Sequence, residues 1–281
     1  MRIIFSRKGF DSSSGGCPSP VLPDGRLVTL PIPDTGSKIC YRDLHIEGIN
    51  TGRLVSQLSG AKIKSSSTAH LDPDLIKGHL PRLAGWCPSL GQTGSAQGHL
   101  RNQQVQPGDL FLFFGLFREA EIYRRRWRFI SGTTARHLLW GWLQIDEIVP
   151  VDRLTPGERP WLQDHPHLHG VPDSHNTLYL ARRSLSLPGL QHIPGSGVFE
   201  RFASKLQLTL PGSPKPSIWQ LPTWFYPADR PPLSYHHNPE RWHLKPQHCV
   251  LKAVARGQEF VLQASHYPES GDWLRQLFAA D

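Results

Sequence analysis

Apolar residues in this chain fall into short dense blocks separated by proline- and glycine-rich polar stretches, and few of the blocks repeat with a helical period. Ile3-Ile4-Phe5 centres a strand predicted over Arg2 to Ser6. Arg26 to Ile32 reads as a second strand, reached through the turn Pro23-Asp24-Gly25. Leu110-Phe111-Leu112-Phe113-Phe114 is apolar on both faces, the pattern of a strand inside a sheet, and Pro107-Gly108-Asp109 is the turn before it. His137 to Ile148 predicts a long strand with Gly141 near its middle, where a strand glycine marks a bend or a close approach of another backbone. Asn176 to Ala181 adds a strand, and His248 to Ala264 reads as a hairpin folded at Arg256-Gly257. Ser217 to Phe225, with Trp219, Trp224 and Phe225 spaced by prolines, reads as irregular packing. Helical signals are fewer: Arg53 to Leu58, Pro156 to Leu162, and Asp72 to Gly78, where Asp72 followed by Pro73 makes a good helix start. Ser270 to Ala280 places Trp273, Leu274, Leu277 and Phe278 on one helical face. The pattern describes an α+β chain that is mainly β, with a mixed or antiparallel sheet, peripheral short helices and long loops.

Composition narrows the class. A chain of 281 residues can bury a core without disulfides or metals, and residues 1–281 read as one unit with loop insertions. Twenty-six prolines and 25 glycines favour turns and strands over a helical bundle. Thirty-one basic against 23 acidic residues give a net charge of +8, which favours an anionic partner, nucleic acid first among them. Cys17, Cys40, Cys87 and Cys249 form no CxxC pair, so neither a zinc knuckle nor a disulfide framework is signalled, and a reduced, cytoplasmic setting is expected. No signal-peptide apolar region and no membrane-spanning apolar run is found, so no membrane partner is expected.

Candidate chemistry concentrates in two polar stretches. In the first, Arg7 and Lys8 could hold a phosphate, Asp11 could act as a base or metal ligand, and Ser12 and Ser13 could hold substrate. The backbone around Gly15-Gly16 could form an anion nest, yet the segment lacks GxxxxGK[ST] and is equally readable as a well-bonded omega loop. Cys17 is a conceivable nucleophile with no base beside it. The second stretch carries Gln92, Gln97, His99 and Gln103, a polar edge that could read a base or simply tie down its own loop backbone. Arg124, Arg126 and Arg128, alternating with Tyr123, Trp127 and Phe129, suit a strand with one basic face that contacts nucleic acid. His70, Asp72 and Asp74 alternate as a metal face would, but helix capping by Asp72 is the preferred reading. His165, His167 and His169 do the same without a nearby carboxylate or cysteine, so no metal ligand set is assigned and no cofactor is indicated.

Ser6-Arg7-Lys8-Gly9-Phe10-Asp11-Ser12-Ser13 with Gly15-Gly16 and Pro18-Ser19-Pro20, and Gly91-Gln92 through Gly115, resemble the signatures of the third type of nucleotide modification associated domain. That family comprises DNA base-modification proteins of bacteria and phages. His137 to Leu143, His165-Pro166-His167 and Asn176-Thr177-Leu178-Tyr179 share the resemblance, which spans most of the chain and brings no catalytic assignment with it. A shorter similarity joins Gly108-Asp109 to Phe114 and Gly141 to Ile148 to the PUA-like group that includes ASCH and EVE domains. It implies a partly open barrel with the opening loop and Gln92 to Gln103 at one mouth. The expected function is a DNA base-modifying enzyme, a transferase, with Asp11 and His99 as catalytic candidates and DNA, RNA or free nucleotide as partner. The alternative is a non-catalytic reader of modified bases, and a third reading is a metal-dependent nuclease using the two histidine groups.

Overall fold

The structure of the protein, a computed structural model, describes residues 1–155, 157–169, 173–255, 257 and 259–279. It is mostly β. The strands begin with β1 (Arg2–Arg7), β2 (Ser19–Val21), β3 (His45–Ile46), β4 (Ile49–Asn50), β5 (Ser89–Gln92), β6 (Leu110–Tyr123) and β7 (Arg126–Phe129). They continue with β8 (Arg136–Pro150), β9 (Thr177–Ala181), β10 (Ser196–Val198), β11 (Ile218–Leu221), β12 (Trp242–Leu244), β13 (Cys249–Lys252) and β14 (Glu259–Gln263). Three α-helices join them: α1 (Thr51–Leu58), α2 (Gly94–Asn102) and α3 (Ser270–Phe278). None is long and apolar enough to cross a membrane.

A nine-stranded mixed sheet carries the fold, in the order β14-β1-β6-β8-β9-β5, with β2 and β7 on the extension of β6 and β10 on β8. Strand β6 is apolar on both faces because it has a core on each. Leu110, Leu112 and Phe114 point with Ile3 and Phe5 of β1 toward Trp219, Phe225 and the α3 residues Leu274 and Leu277. Phe111 and Phe113 point with Ile4 to the opposite face, against Leu90, Leu100, Trp140 and Tyr179. The predicted close approach at Gly141 is present: β10 pairs there, and a Cβ on Gly141 would lie 2.9 Å from the Gly197 carbonyl oxygen. The sheet's two edges meet at one point, where the Gln92 amide of β5 donates to the Glu259 carboxyl of β14. No ladder joins those edges, so among the described residues there is no closed barrel.

Several sequence expectations are corrected. Arg26 to Ile32 is not a strand and makes only isolated bridges, Val21 to Leu27 and Arg26 to Arg201. Two of its amides are spent on β2 without forming a ladder, Val28 N–H on the Pro20 carbonyl and Leu30 N–H on Ser19 Oγ. Asp72 to Gly78 is not a helix: Asp74 bridges to Ser89, and only Lys77–His79 form a 3-10 turn. Asp72 precedes a cis peptide to Pro73 and accepts from Gly91 N–H of β5, not from helix amides of its own. Conversely, the stretch from Gly94 to Asn102, expected as loop, is α2, anchored by buried Gln97 and Leu100. The predicted hairpin over His248 to Ala264 is two strands of different sheets, β13 beside β11 and β12, and β14 beside β1. The expected irregular packing of Ser217 to Phe225 contains β11. Of the predicted Pro156 to Leu162 helix, Pro160–Leu162 is a 3-10 turn. Pro156, Arg256 and Ala280 lie outside the described residues.

Candidate functional site

Strand β1 leaves β6 at the Arg7–Phe114 pair, and β2 rejoins the same edge at Ser19–Phe117, both parallel to β6. The opening loop is therefore an excursion from one continuous sheet edge. Its shape is set locally: Asp11 Oδ1 accepts from Ser13 N–H, Ser13 Oγ and Ser14 N–H, each at 2.7 Å, and the fully buried Phe10 ring fills the space where Gly15 lacks a Cβ. Beneath the loop is a cavity of about 540 Å³. Its wall is drawn from stretches far apart along the chain: the loop, Ile32 to Gly36, His70 and Asp72, the end of β5 with Thr93, Pro166, His167, His169 and Asn176, and Ala255 with Gly257.

At the floor of the cavity Asp72 is buried among cations and rings. Its Oδ1 accepts from Gly91 N–H at 2.6 Å, and Lys8 Nζ stands 3.3 Å from its Oδ2. Burial opposes ionisation of Asp72, but Lys8, His167, His165 and His70 together outweigh it and hold the carboxyl well below the ordinary carboxylate range. His167 Nε2 lies 3.8 Å from Asp72 Oδ2 and His165 Nε2 lies 3.7 Å from Oδ1. Two of the cavity-lining histidines are held from behind, His70 Nδ1 by Asp34 Oδ2 at 2.8 Å and His167 Nδ1 by Asn176 Oδ1 at 2.7 Å. Asn176 Nδ2 in turn donates to the His167 carbonyl at 2.7 Å, which fixes the amide's orientation. The His167 ring reaches this place because residue 91 is glycine: a Cβ there would lie 2.3 Å from the ring. One donor atom each of His70, Asp72 and His167 lies within 4.8 Å of the others, so among the described residues these three could hold a metal.

A second buried carboxyl stands behind the wall. Glu259 accepts from Ser6 Oγ at 3.0 Å and from the Gln92 amide, while its Oε2 has no hydrogen-bond partner. Burial drives its carboxyl up to about 7, against the pull of Lys8 and the Ser6 hydroxyl. Gln92 itself lines the cavity, and with its amide nitrogen committed to Glu259 its Oε1 is left as an acceptor.

The structure thus gathers Arg7, Lys8, Asp11, Ser13 and Gln92 around one cavity. Ser12 is exposed and outside the lining, where Ser14 takes its place. Arg7 is partly committed, its guanidinium donating to the carbonyls of Ala255 and Gly257 at 2.7 Å each. Helix α2 carries the other polar residues of the second stretch away from the lining. Gln97 accepts from Tyr179 Oη at 2.8 Å, His99 meets Ser234 Oγ at 2.9 Å and lies against the Tyr235 ring, and Gln103 caps the helix end. Arg124, Arg126 and Arg128 belong to the β6–β7 hairpin, with Arg124 and Arg125 in its turn at positive φ, so the three do not share one strand face. Arg128 pairs with Glu121 and lies 3.6 Å over the Tyr123 ring, which is exposed and does not face the core. Cys17 is outside the lining, and burial pushes its thiol up to about 11.

Of the two histidine groups, each contributes only in part. Asp74 turns away to a bidentate pair with Arg82 at 2.6 and 2.7 Å, His165 is outside the lining, and His169 lines the cavity but bonds the Gln163 carbonyl. Sequence reading had the members of this cluster but not their meeting; it gave no site role to Asp34 or Glu259, and it named Asn176 only in a strand and in the family resemblance. Only the X-Pro and Gly punctuation around residues 70–73, 91 and 165–166 marks where the segments turn toward each other. The sequence model of a protein family described as nucleotide modification associated domain 3 matches residues 2–263, a span that contains every residue of the cavity. No curated protein and no solved structure matches the chain.

Proposed function

We propose that this chain, which belongs to the nucleotide modification associated domain 3 family, is an enzyme that takes a single nucleotide of DNA into the cavity at the meeting of the two sheet edges and modifies its base. The observation that carries this reading is the convergence of the two polar stretches, 84 positions apart along the chain at Arg7 to Gly91 and at Lys8 to Gln92, on one cavity. Its volume of about 540 Å³ falls in the range of small-ligand sites and suits one nucleotide, not a duplex. A base reaches such a site only after leaving the stack, as enzymes acting on base atoms require. Gln92 Oε1 would accept from an exocyclic amino group, Lys8 would meet phosphate, and the second oxygen of Asp11 would take a proton. The charge of +8 supports an anionic partner.

The test is incubation of the protein with DNA and candidate group donors, followed by digestion to nucleosides and mass spectrometry. A new nucleoside is expected from the wild type, with yield falling at least ~100-fold in Lys8→Met, the size of loss associated with removing a group that stabilises developing charge. Tight, selective binding of DNA carrying a modified base, with no new nucleoside under any donor, would instead identify a reader.

A further inference from the structure

We propose that His70, Asp72 and His167 form a site for one divalent first-row transition-metal ion, open on one side to the cavity. That the ion faces a nucleotide rests on the function proposed above; the ion site itself does not.

The hydrogen-bond network assigns the ring protons. The Asp34 carboxylate only accepts, so the His70 Nδ1 that meets it at 2.8 Å carries the proton. Asn176 is oriented by the bond from its Nδ2 to the His167 carbonyl, so its Oδ1 accepts, and His167 Nδ1 carries the proton as well. With its proton on Nδ1, an imidazole is left with a lone pair on Nε2. His167 Nε2 lies 3.8 Å from Asp72 Oδ2, and one donor atom each of His70, Asp72 and His167 lies within 4.8 Å of the others. Three acceptors with no proton among them repel unless a cation stands between them, and Lys8, 3.3 Å from Asp72 Oδ2, meets only the carboxylate. A histidine held at Nδ1 by a carboxylate or amide oxygen, with Nε2 turned inward, is the usual support of a metal ligand.

His165 marks the limit of the set. Its Nδ1 accepts from His167 N–H at 3.3 Å, which places its proton on Nε2, and that nitrogen faces Asp72 Oδ1 at 3.7 Å. At that distance Nε2 makes no hydrogen bond, and a nitrogen that carries a proton is not a third imidazole ligand. Two imidazoles and one carboxylate make a donor set that suits iron(II), zinc or cobalt better than magnesium or calcium, and three protein ligands leave positions open for water or substrate. Lys8 then has a role that depends on the ion: once Asp72 Oδ2 is engaged by metal, the ammonium is released toward the cavity.

Metal-stripped protein titrated with cobalt(II), zinc(II) and anaerobic iron(II), followed by calorimetry and by the visible absorption of bound cobalt, tests the proposal. One equivalent per chain is expected. Affinity should fall at least ~100-fold in His70→Ala and in His167→Ala, fall by roughly 10- to 100-fold in Asp34→Asn, and stay within about threefold in His169→Ala, whose ring bonds elsewhere. X-ray absorption of the cobalt-loaded wild type should report two imidazoles among its nitrogen and oxygen ligands, a readout that needs no variant to fold. No binding of any of the three ions, binding that survives in both folded histidine variants, or a ligand shell without two imidazoles overturns the site. Binding with no nucleoside modified would leave the site standing and remove the function; modification that persists in a chelator would do the reverse.

Discussion

At Glu259 the sequence has placed an acid where the fold gives it little reason to ionise. Its carboxyl is raised from the ordinary 4.5 to about 7 by burial, so the protonated form is the one the folded state prefers. A raised folded value means that the full stability is present below the unfolded value and is lost as pH rises through the folded one. Between about pH 4.5 and 7 the native state therefore loses up to about 3 kcal/mol to this one ionisation. Glu259→Gln keeps an oxygen for Ser6 and Gln92 and has no proton to lose. Thermal unfolding of the two proteins from pH 4 to 8 should show the variant gaining on the wild type as pH rises, with the difference levelling off above about pH 7. Parallel profiles would mean that Glu259 ionises freely. Because Glu259 also orients Gln92, its proton is coupled to the group proposed to read the base.

Strand β5 and the histidine segment meet through the absence of a side chain. Gly91→Ala would drive a methyl into the His167 ring, whose atoms stand 2.3 to 2.6 Å from the new Cβ. The expected cost is about 1–3 kcal/mol of stability, as for other overpacked sites, and the ring must leave the cavity wall. Denaturant unfolding gives the first number, and a nucleoside-yield assay on the still-folded variant should show the larger loss. An alanine variant with wild-type yield would show that His167 does not need its present position. What was legible in the sequence follows the same local logic. β6, β8 and α3 were read because their apolar spacing is strict and nearby. The α2 helix was not, since Gly94, Ser95, Gly98 and four further polar residues conceal it until Leu100 finds Tyr179 and Phe111. Paired strands were seen in residues 248–264, but local pattern specifies a strand and not its partner, and β13 and β14 took partners in different sheets. The site was half legible. Its opening loop announces itself by composition, whereas His70 and His167 are 97 positions apart, and nothing in either neighbourhood names the other.

Taken whole, the protein has a net charge of +8 and a basic hairpin tip standing clear of the cavity lining. Contacts with phosphates release counterions, so the affinity for single-stranded DNA should fall with salt, and each phosphate contact contributes a slope of about 0.7 in log affinity against log salt. Arg126→Ala should reduce that slope by about one contact, and Arg128→Ala by less, because Arg128 is already engaged by Glu121. Fluorescence anisotropy at several salt concentrations measures both; unchanged slopes in both variants would take the hairpin out of the DNA footprint. The loop between Lys8 and Ser19 has a different kind of consequence. Because β1 and β2 continue along the same edge of β6, the ladder on either side does not register how much chain is looped out between them. Lengthening such a loop costs little, each doubling about 0.6 kcal/mol. The roof of the cavity is therefore the piece of this molecule most open to evolutionary exchange: descendants could acquire new substrates by replacing residues 11–16 while inheriting the floor unchanged.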